Sequence, residues 1–273
     1  MNPSTLIGIV VSALLMGVIL FFAADDPKLY LDWPSLAIVL GGTVAATFLS
    51  YPLRDVMRIF GLFRTVLRDE HLDTQNDINE LVQIAKIWVH GDPHAVEQAL
   101  ASVSNPFLRT GVQLMIDRVP EQDILDLLQW RISRLRTREA AEAQLFRLMA
   151  NYAPAFGMLG TLVGLVNVMG NMGNGNMQAF GGNLALALMT TLYGILLSNL
   201  LFRPVAVKLE RRTEQRLILM NMVLQGISMM CAKSSPTLMR ETLKSFVAHY
   251  ENEIFDASVP KHSSADAAPS SKG

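Results

Sequence analysis

Hydrophobic and polar positions are arranged along this chain on two scales. Residues 1–24, 33–53 and 148–202 contain no Asp, Glu, Lys or Arg, and the last of these runs is 55 residues long. A membrane-spanning helix needs about 20 mostly apolar residues. The pattern predicts a first span over 5–24, where only Thr5 and Ser12 are polar, and a second over 35–51. The second is entered through Trp33-Pro34 and left at Pro52, and proline suits both a helix's first turn and its exit. The Gly/Asn-rich segment Gly173–Gly182 reads as a loop. It divides the long run into a third span, 153–172, and a fourth, 184–202.

Between the second and third spans the pattern changes to amphipathic helices. Ile78, Leu81, Val82, Ala85, Trp88 and Val89 sit at helical spacing within 76–90. Gly91 stops that helix, and Asp92-Pro93 caps and starts the next, through Val96, Ala99, Leu100 and Val103. Asn105-Pro106 restarts with Phe107, Gly111, Leu114 and Met115, and Pro120 opens a helix through Ile124, Leu127, Leu128 and Leu135. That helix meets no breaker before Pro154 and runs into span three. Residues 205–230 extend span four in the same way, and Ser235-Pro236 begins a helix to about Glu253. The Ser/Ala/Pro-rich tail 256–273 reads as disordered.

The expected fold is therefore all-α: an integral membrane protein of four transmembrane helices with a helical cytoplasmic domain inserted between helices 2 and 3. Its parts are a hairpin over 1–51, the domain over 52–152, a second hairpin over 153–202, a helical tail over 203–255 and the terminal 256–273. Composition agrees: 51% of residues are apolar and 17% charged, with mean hydropathy +0.30, against roughly 25% charge in soluble domains. The N-terminal run lacks Lys and Arg and is longer than a signal core, so a span is expected there rather than a cleaved signal. Arg54, Arg58, Arg138, Arg147, Arg203 and Lys208 flank the span ends on one side, whereas 25–32 and 173–182 hold one Lys between them. The positive-inside rule then puts 52–152, 203–273 and both termini in the cytoplasm.

Little else in the chain suggests chemistry. A net charge of −1 gives no reason to expect nucleic acid. Cys231 is the one cysteine and reads as a small apolar residue in a Met-rich helix. The five histidines are scattered, and His90 and His94 are separated by the breaker Gly91-Asp92-Pro93. No nucleotide loop, hydrolase elbow or zinc motif is present, so neither an enzyme nor a bound cofactor is expected. Arg131, Arg134, Arg136 and Arg138 form the densest basic cluster, read as a solvated helix flank or a surface for an acidic partner.

The spans themselves carry the more informative pattern. Gly157, Thr161, Gly164 and Val168 share one face of span three, with Gly160 beside them. Ala187, Thr191, Gly194 and Ser198 repeat that spacing in span four, with Thr190 alongside. Such faces allow close backbone approach. Two readings stand: tight packing with each hydroxyl bonded to its own i−4 carbonyl, or a narrow corridor in which Thr161 and Thr191 offer oxygens to a small cation or water chain. Membrane ion carriers usually hold an ionisable side chain in the bilayer. None occurs in these spans. If the chain moves protons or sodium, the titrating group must come from a partner.

Pro154-Ala155-Phe156-Gly157-Met158-Leu159-Gly160-Thr161-Leu162-Val163-Gly164-Leu165, with Leu188-Met189-Thr190-Thr191-Leu192-Tyr193-Gly194 and Ser198-Asn199, resembles the bacterial flagellar stator A subunits of the MotA/PomA type. These belong to the MotA/TolQ/ExbB proton channel family. The resemblance implies an inner (plasma) membrane homo-oligomer, a pentamer around two single-span, peptidoglycan-binding B subunits that supply an ion-binding Asp. It implies proton or sodium flow coupled to torque on a rotor switch-complex protein. Thr161 and Thr191, with Thr190 beside them, match the threonines of the ion path; Pro154 and Pro204 match the prolines at the inner ends of spans three and four. The rotor-facing loop departs from the pattern. Lys86, His90 and Glu97 stand where relatives carry a basic pair and a glutamate cluster. The alternative is a TolQ/ExbB-like energy transducer for outer-membrane processes, although those proteins have three spans.

Overall fold

The computed structural model describes residues 11, 14, 18, 30–57, 61, 74–91, 93–171 and 177–258, and these are helical or in turns, with no strand among them. The long elements are α1 (Trp33–Ser50), α2 (Thr74–Val89), α3 (Pro93–Leu100), α4 (Pro106–Ile116), α5 (Glu121–Asn171), α6 (Met177–Leu196), a π turn (Leu197–Phe202), α7 (Arg203–Cys231) and α8 (Pro236–Ser258). Among the described residues three segments are long and apolar enough to cross a membrane: Trp33–Ser50, part of Glu121–Asn171 and part of Met177–Cys231. The span expected over 5–24 lies outside the described residues, save for Val11, Leu14 and Val18, which are helical.

The start of α1 is set by Asp32, whose carboxylate accepts from the Ser35 amide at 3.1 Å, with Pro34 in the first turn. Asn105 does the same for α4, accepting from the Phe107 and Leu108 amides at 2.9 and 3.3 Å. Each cap satisfies amides that have no intrahelical acceptor. Gly91 takes φ +77° after α2, the stop expected there; Asp92 lies outside the described residues. Two other stops use no glycine. Arg118 (φ 57°) and Lys233 (φ 53°) adopt the left-handed conformation. Beyond them Val119 N–H donates to Leu114 O at 3.1 Å and Ser234 N–H to Met229 O at 2.9 Å, the six-residue closure of a Schellman end.

Two expectations need correction. Residues 177–182 are the first turns of α6, not part of a loop. Gly181 and Gly182 are poor helix formers in water, but in an apolar medium each backbone group must be satisfied within the helix. Second, α8 extends through Ser258, past the start of the expected disordered tail; residues 259–273 lie outside the described ones. The expected run of the Pro120 helix into span three holds, with Pro154 inside α5. Pro204 likewise sits inside the helical run, as the second residue of α7.

The chain forms two compact units, 1–71 with 134–214 and 72–133 with 215–273. In the second, α2 packs on α8 around Ile78, Leu81, Leu108, Ile124, Leu128, Met222, Ile227 and Leu243, all buried. Each such side chain contributes about 1.5–3 kcal/mol by leaving water. The first unit has its own cluster around Phe146, Met149, Ala150, Ala153, Phe202 and Ala206. There α1 lies against α6, and Gly42 makes room for the Phe156 ring, which a Cβ would overlap.

Candidate functional site between two membrane-capable helices

The small residues of α5 and α6 face each other. A Cβ on Gly157 would come 2.9 Å from the Thr190 carbonyl oxygen, and one on Gly194 would come 2.7 Å from the Ala153 carbonyl oxygen. Gly164 stands against Ala187 and Gly160 against the Thr190 side chain. At Gly157 and Gly194 the obstacle is backbone, which cannot rotate away, so any side chain there would push the helices apart. The stripes seen in sequence are thus one contact, and Thr190, Ala187, Gly157 and Gly194 are buried in it.

Thr161 and Thr191 meet at the edge of this contact, both half-buried. Their hydroxyl oxygens are hydrogen-bonded to each other. Thr161 Oγ1 is also 3.1 Å from its own i−4 carbonyl at Gly157 and 3.0 Å from the Ala187 carbonyl on the facing helix. One hydroxyl proton cannot serve three acceptors. With Thr191 donating to Thr161, Thr161 donates to one carbonyl and leaves the other an accepting oxygen in the same place. Thr190 Oγ1 donates to Ala187 O at 2.9 Å. The result is a cluster of neutral oxygens with no ionisable side chain among the described residues of 148–202 other than tyrosine.

The expectation that each hydroxyl bonds its own i−4 carbonyl holds for part of the set. Thr161 does so within its larger cluster, while Thr190 bonds its i−3 carbonyl; outside that set, Thr43 and Thr47 of α1 bond their i−4 carbonyls at 2.6 and 2.7 Å. Ser198 does not. Its hydroxyl crosses to α5 and donates to Ala150 O at 2.6 Å.

Further along the same helices a second polar group was missed in sequence. Tyr193 Oη accepts from the Asp32 amide at 3.0 Å and donates to Tyr30 O at 2.5 Å, while Ser35 Oγ reaches Leu186 O at 3.3 Å. Tyr193 thereby pins the entry of α1 to α6. The entry through Trp33-Pro34 was visible in sequence; the cap at Asp32 and the tyrosine partner, 161 residues away, were not read there. Arg147 and Glu210 pair through two bonds of 2.5 and 2.7 Å, and the carboxylate raises the guanidinium's pKa.

Lys86, His90 and Glu97 are all exposed in the other unit. His90 Nδ1 lies 2.6 Å from the Lys86 carbonyl, closing the end of α2, and Glu97 lies 4.0 Å from His94. Arg131, Arg134, Arg136 and Arg138 are exposed, and Arg131 donates to Thr110 Oγ1 at 3.0 Å. Burial and the nearby Glu121 carboxylate push the Cys231 thiol up, which makes it a poor nucleophile. Among the described residues no three His, Cys, Asp or Glu converge on a metal position.

Residues 99–222 match the model of the MotA/TolQ/ExbB proton channel family. The uncharacterized protein YtxD of Bacillus subtilis is 31% identical over 245 residues, covering 87% of each chain. The chain belongs to the MotA/TolQ/ExbB proton channel family. Motility protein A of Borreliella burgdorferi is 28% identical over 95% of this chain and 99% of its own length. The fold also matches a structure of C. jejuni MotAB, with TM-score 0.82 and 19% identity over 90% of this chain and 96% of that one. MotA/TolQ/ExbB membership agrees with the all-helical architecture and its apolar helices.

Proposed function

We propose that the chain is the ion-conducting stator subunit of a bacterial flagellar motor, coupling proton or sodium flow to rotor torque. One observation carries the reading: two facing helices place the oxygens of Thr161 and Thr191 together within an uncharged stretch that supplies no carboxylate. Neutral oxygens can partly replace the hydration shell of a passing cation. They cannot hold and release it by changing charge. That step belongs to a B subunit, single-span and peptidoglycan-binding, whose membrane Asp would stand beside the threonines.

In this reading the chain sits in the inner membrane with four spans, both termini cytoplasmic and residues 52–152 as the inserted cytoplasmic domain. Copies of it, arranged as a pentamer, surround a pair of B subunits. The exposed apolar stripe Met158, Leu162, Val166 and Met169 on α5 suits contact with lipid or with neighbouring subunits. Pro154 and Pro204 transmit ion-driven change to the cytoplasmic helices, and Lys86, His90 and Glu97 are available to charges on a rotor switch-complex protein.

The test is co-expression with a one-span partner carrying a membrane Asp, in a host lacking its own stators. The two proteins are expected to co-purify, to restore swimming and to admit ions only together, and Asp→Asn in the partner abolishes both activities. Ion flux through this chain alone, or failure to retain the partner, would overturn the reading. Retention of the partner without swimming, but with an energised outer-membrane process, would favour the energy-transducer alternative.

A further inference from the structure

Pro154 has no N–H, so Ala150, four residues earlier in α5, loses the donor that every ordinary helical carbonyl has. Ala150 is buried, where a carbonyl without a partner is costly. The Ser198 hydroxyl, itself 2% exposed, donates to that same oxygen at 2.6 Å from the facing helix. Ser198 lies within the π turn Leu197–Phe202. Its own carbonyl accepts from the Arg203 amide, five residues on, immediately before Pro204. Ser198 therefore joins the carbonyl freed by Pro154, through its side chain, to the irregular turn that precedes Pro204, through its backbone.

We infer that Ser198 is a positioning residue that replaces the hydrogen bond removed by Pro154 and so ties α5, at its proline, to the π turn of the facing helix. Its hydroxyl can leave the Ala150 carbonyl by rotation about a single side-chain bond, whereas a backbone N–H cannot leave without unwinding the helix. The junction is thus a hydrogen bond that can be broken and remade while both helices stay intact. Close packing fixes where the hydroxyl points: Gly194 lies against Ala153 and Pro154 at backbone distance, one turn before Ser198. Through its consequence for torque this inference rests on the stator reading; the hydrogen-bond replacement does not.

The test is a double-mutant cycle on the full complex of this chain with its B-type partner. Pro154→Ala restores a backbone N–H that can bond Ala150 O, which makes the Ser198 hydroxyl redundant. Ser198→Ala alone is expected to lower the apparent Tm by about 2–6 °C, and to lower it by less than half as much in the Pro154→Ala background, since groups sharing one partner are not additive. An equal loss in both backgrounds, or none in either, would overturn the replacement. At a temperature well below its Tm, and with equal complex in the membrane, Ser198→Ala is expected to swim at half the parental speed or less, while Ser198→Thr, which keeps the hydroxyl, swims as the parent does. Parental speed in Ser198→Ala would overturn the positioning role. If instead the parental chain itself drives no rotation, the stator reading fails, and the Tm cycle still decides the hydrogen bond.

Discussion

Thr161 and Thr191 are hydrogen-bonded to each other across a contact built from glycines, and that pairing carries the first prediction. Thr191→Val keeps the shape of the side chain and removes its oxygen. If that oxygen meets the ion, losing it should cost about 10- to 100-fold in ion flux, the range for a hydrogen bond to a charged group, with swimming reduced in step. Thr191→Ser should retain both. The measurement is flux and swimming at equal amounts of assembled complex; a Val variant with parental flux would remove Thr191 from the path. The stripes of small residues were legible because helical spacing alone puts Gly157, Thr161 and Gly164 on one face. The destinations of the hydroxyls were not. A serine has the same local options wherever it sits in a helix. Only the opposing proline, far away in the chain, leaves the Ala150 carbonyl that Ser198 satisfies.

Helix ends show the same division. Starts near residue 35 and at Pro106 were legible from Trp33-Pro34 and Asn105-Pro106; the structure adds that Asp32 caps the first, two residues earlier than expected. The ends of α4 and α7 carried no glycine, and Arg118 and Lys233 hold the left-handed position instead. Helical continuity through Pro154 and Pro204 was legible from the absence of other breakers, but what makes it tolerable at Pro154 was not. A proline ends a helix in water because the freed carbonyl can turn to solvent, but at Pro154 a neighbouring helix takes it up. The left-handed ends make a prediction at this scale. A non-glycine residue in that conformation is strained by roughly 1–2 kcal/mol, partly offset in a glycine variant by its freer unfolded chain. Lys233→Gly should therefore stabilise by about 0.5–1 kcal/mol, seen as a rise in apparent Tm of about 1–4 °C. A fall would mean that the Lys233 side chain contributes more than its backbone strain costs.

At the scale of the whole molecule, the charge pattern that first marked the chain as a membrane protein also fixes how it should be oriented. Arg54, Arg138, Arg147, Arg203 and Lys208 lie near span ends on one side, and the two short connections on the other side contain only Lys28 as a basic residue. With basic side chains retained on the cytoplasmic face, the proposed arrangement puts 52–152 and 203–273 inside and 25–32 and 173–182 outside. The single cysteine makes this testable. Cys231 is replaced by Ala, and one new cysteine is introduced at a time, as Lys28→Cys, Asn174→Cys, Gln98→Cys or Lys261→Cys. A membrane-impermeant maleimide applied to intact spheroplasts is expected to label the first two and to reach the last two only after the membrane is opened. Labelling of Lys28→Cys from the outside together with Lys261→Cys would leave an even number of spans between them, where the four-span arrangement requires three. That result would break the arrangement while leaving the contact between α5 and α6 untouched.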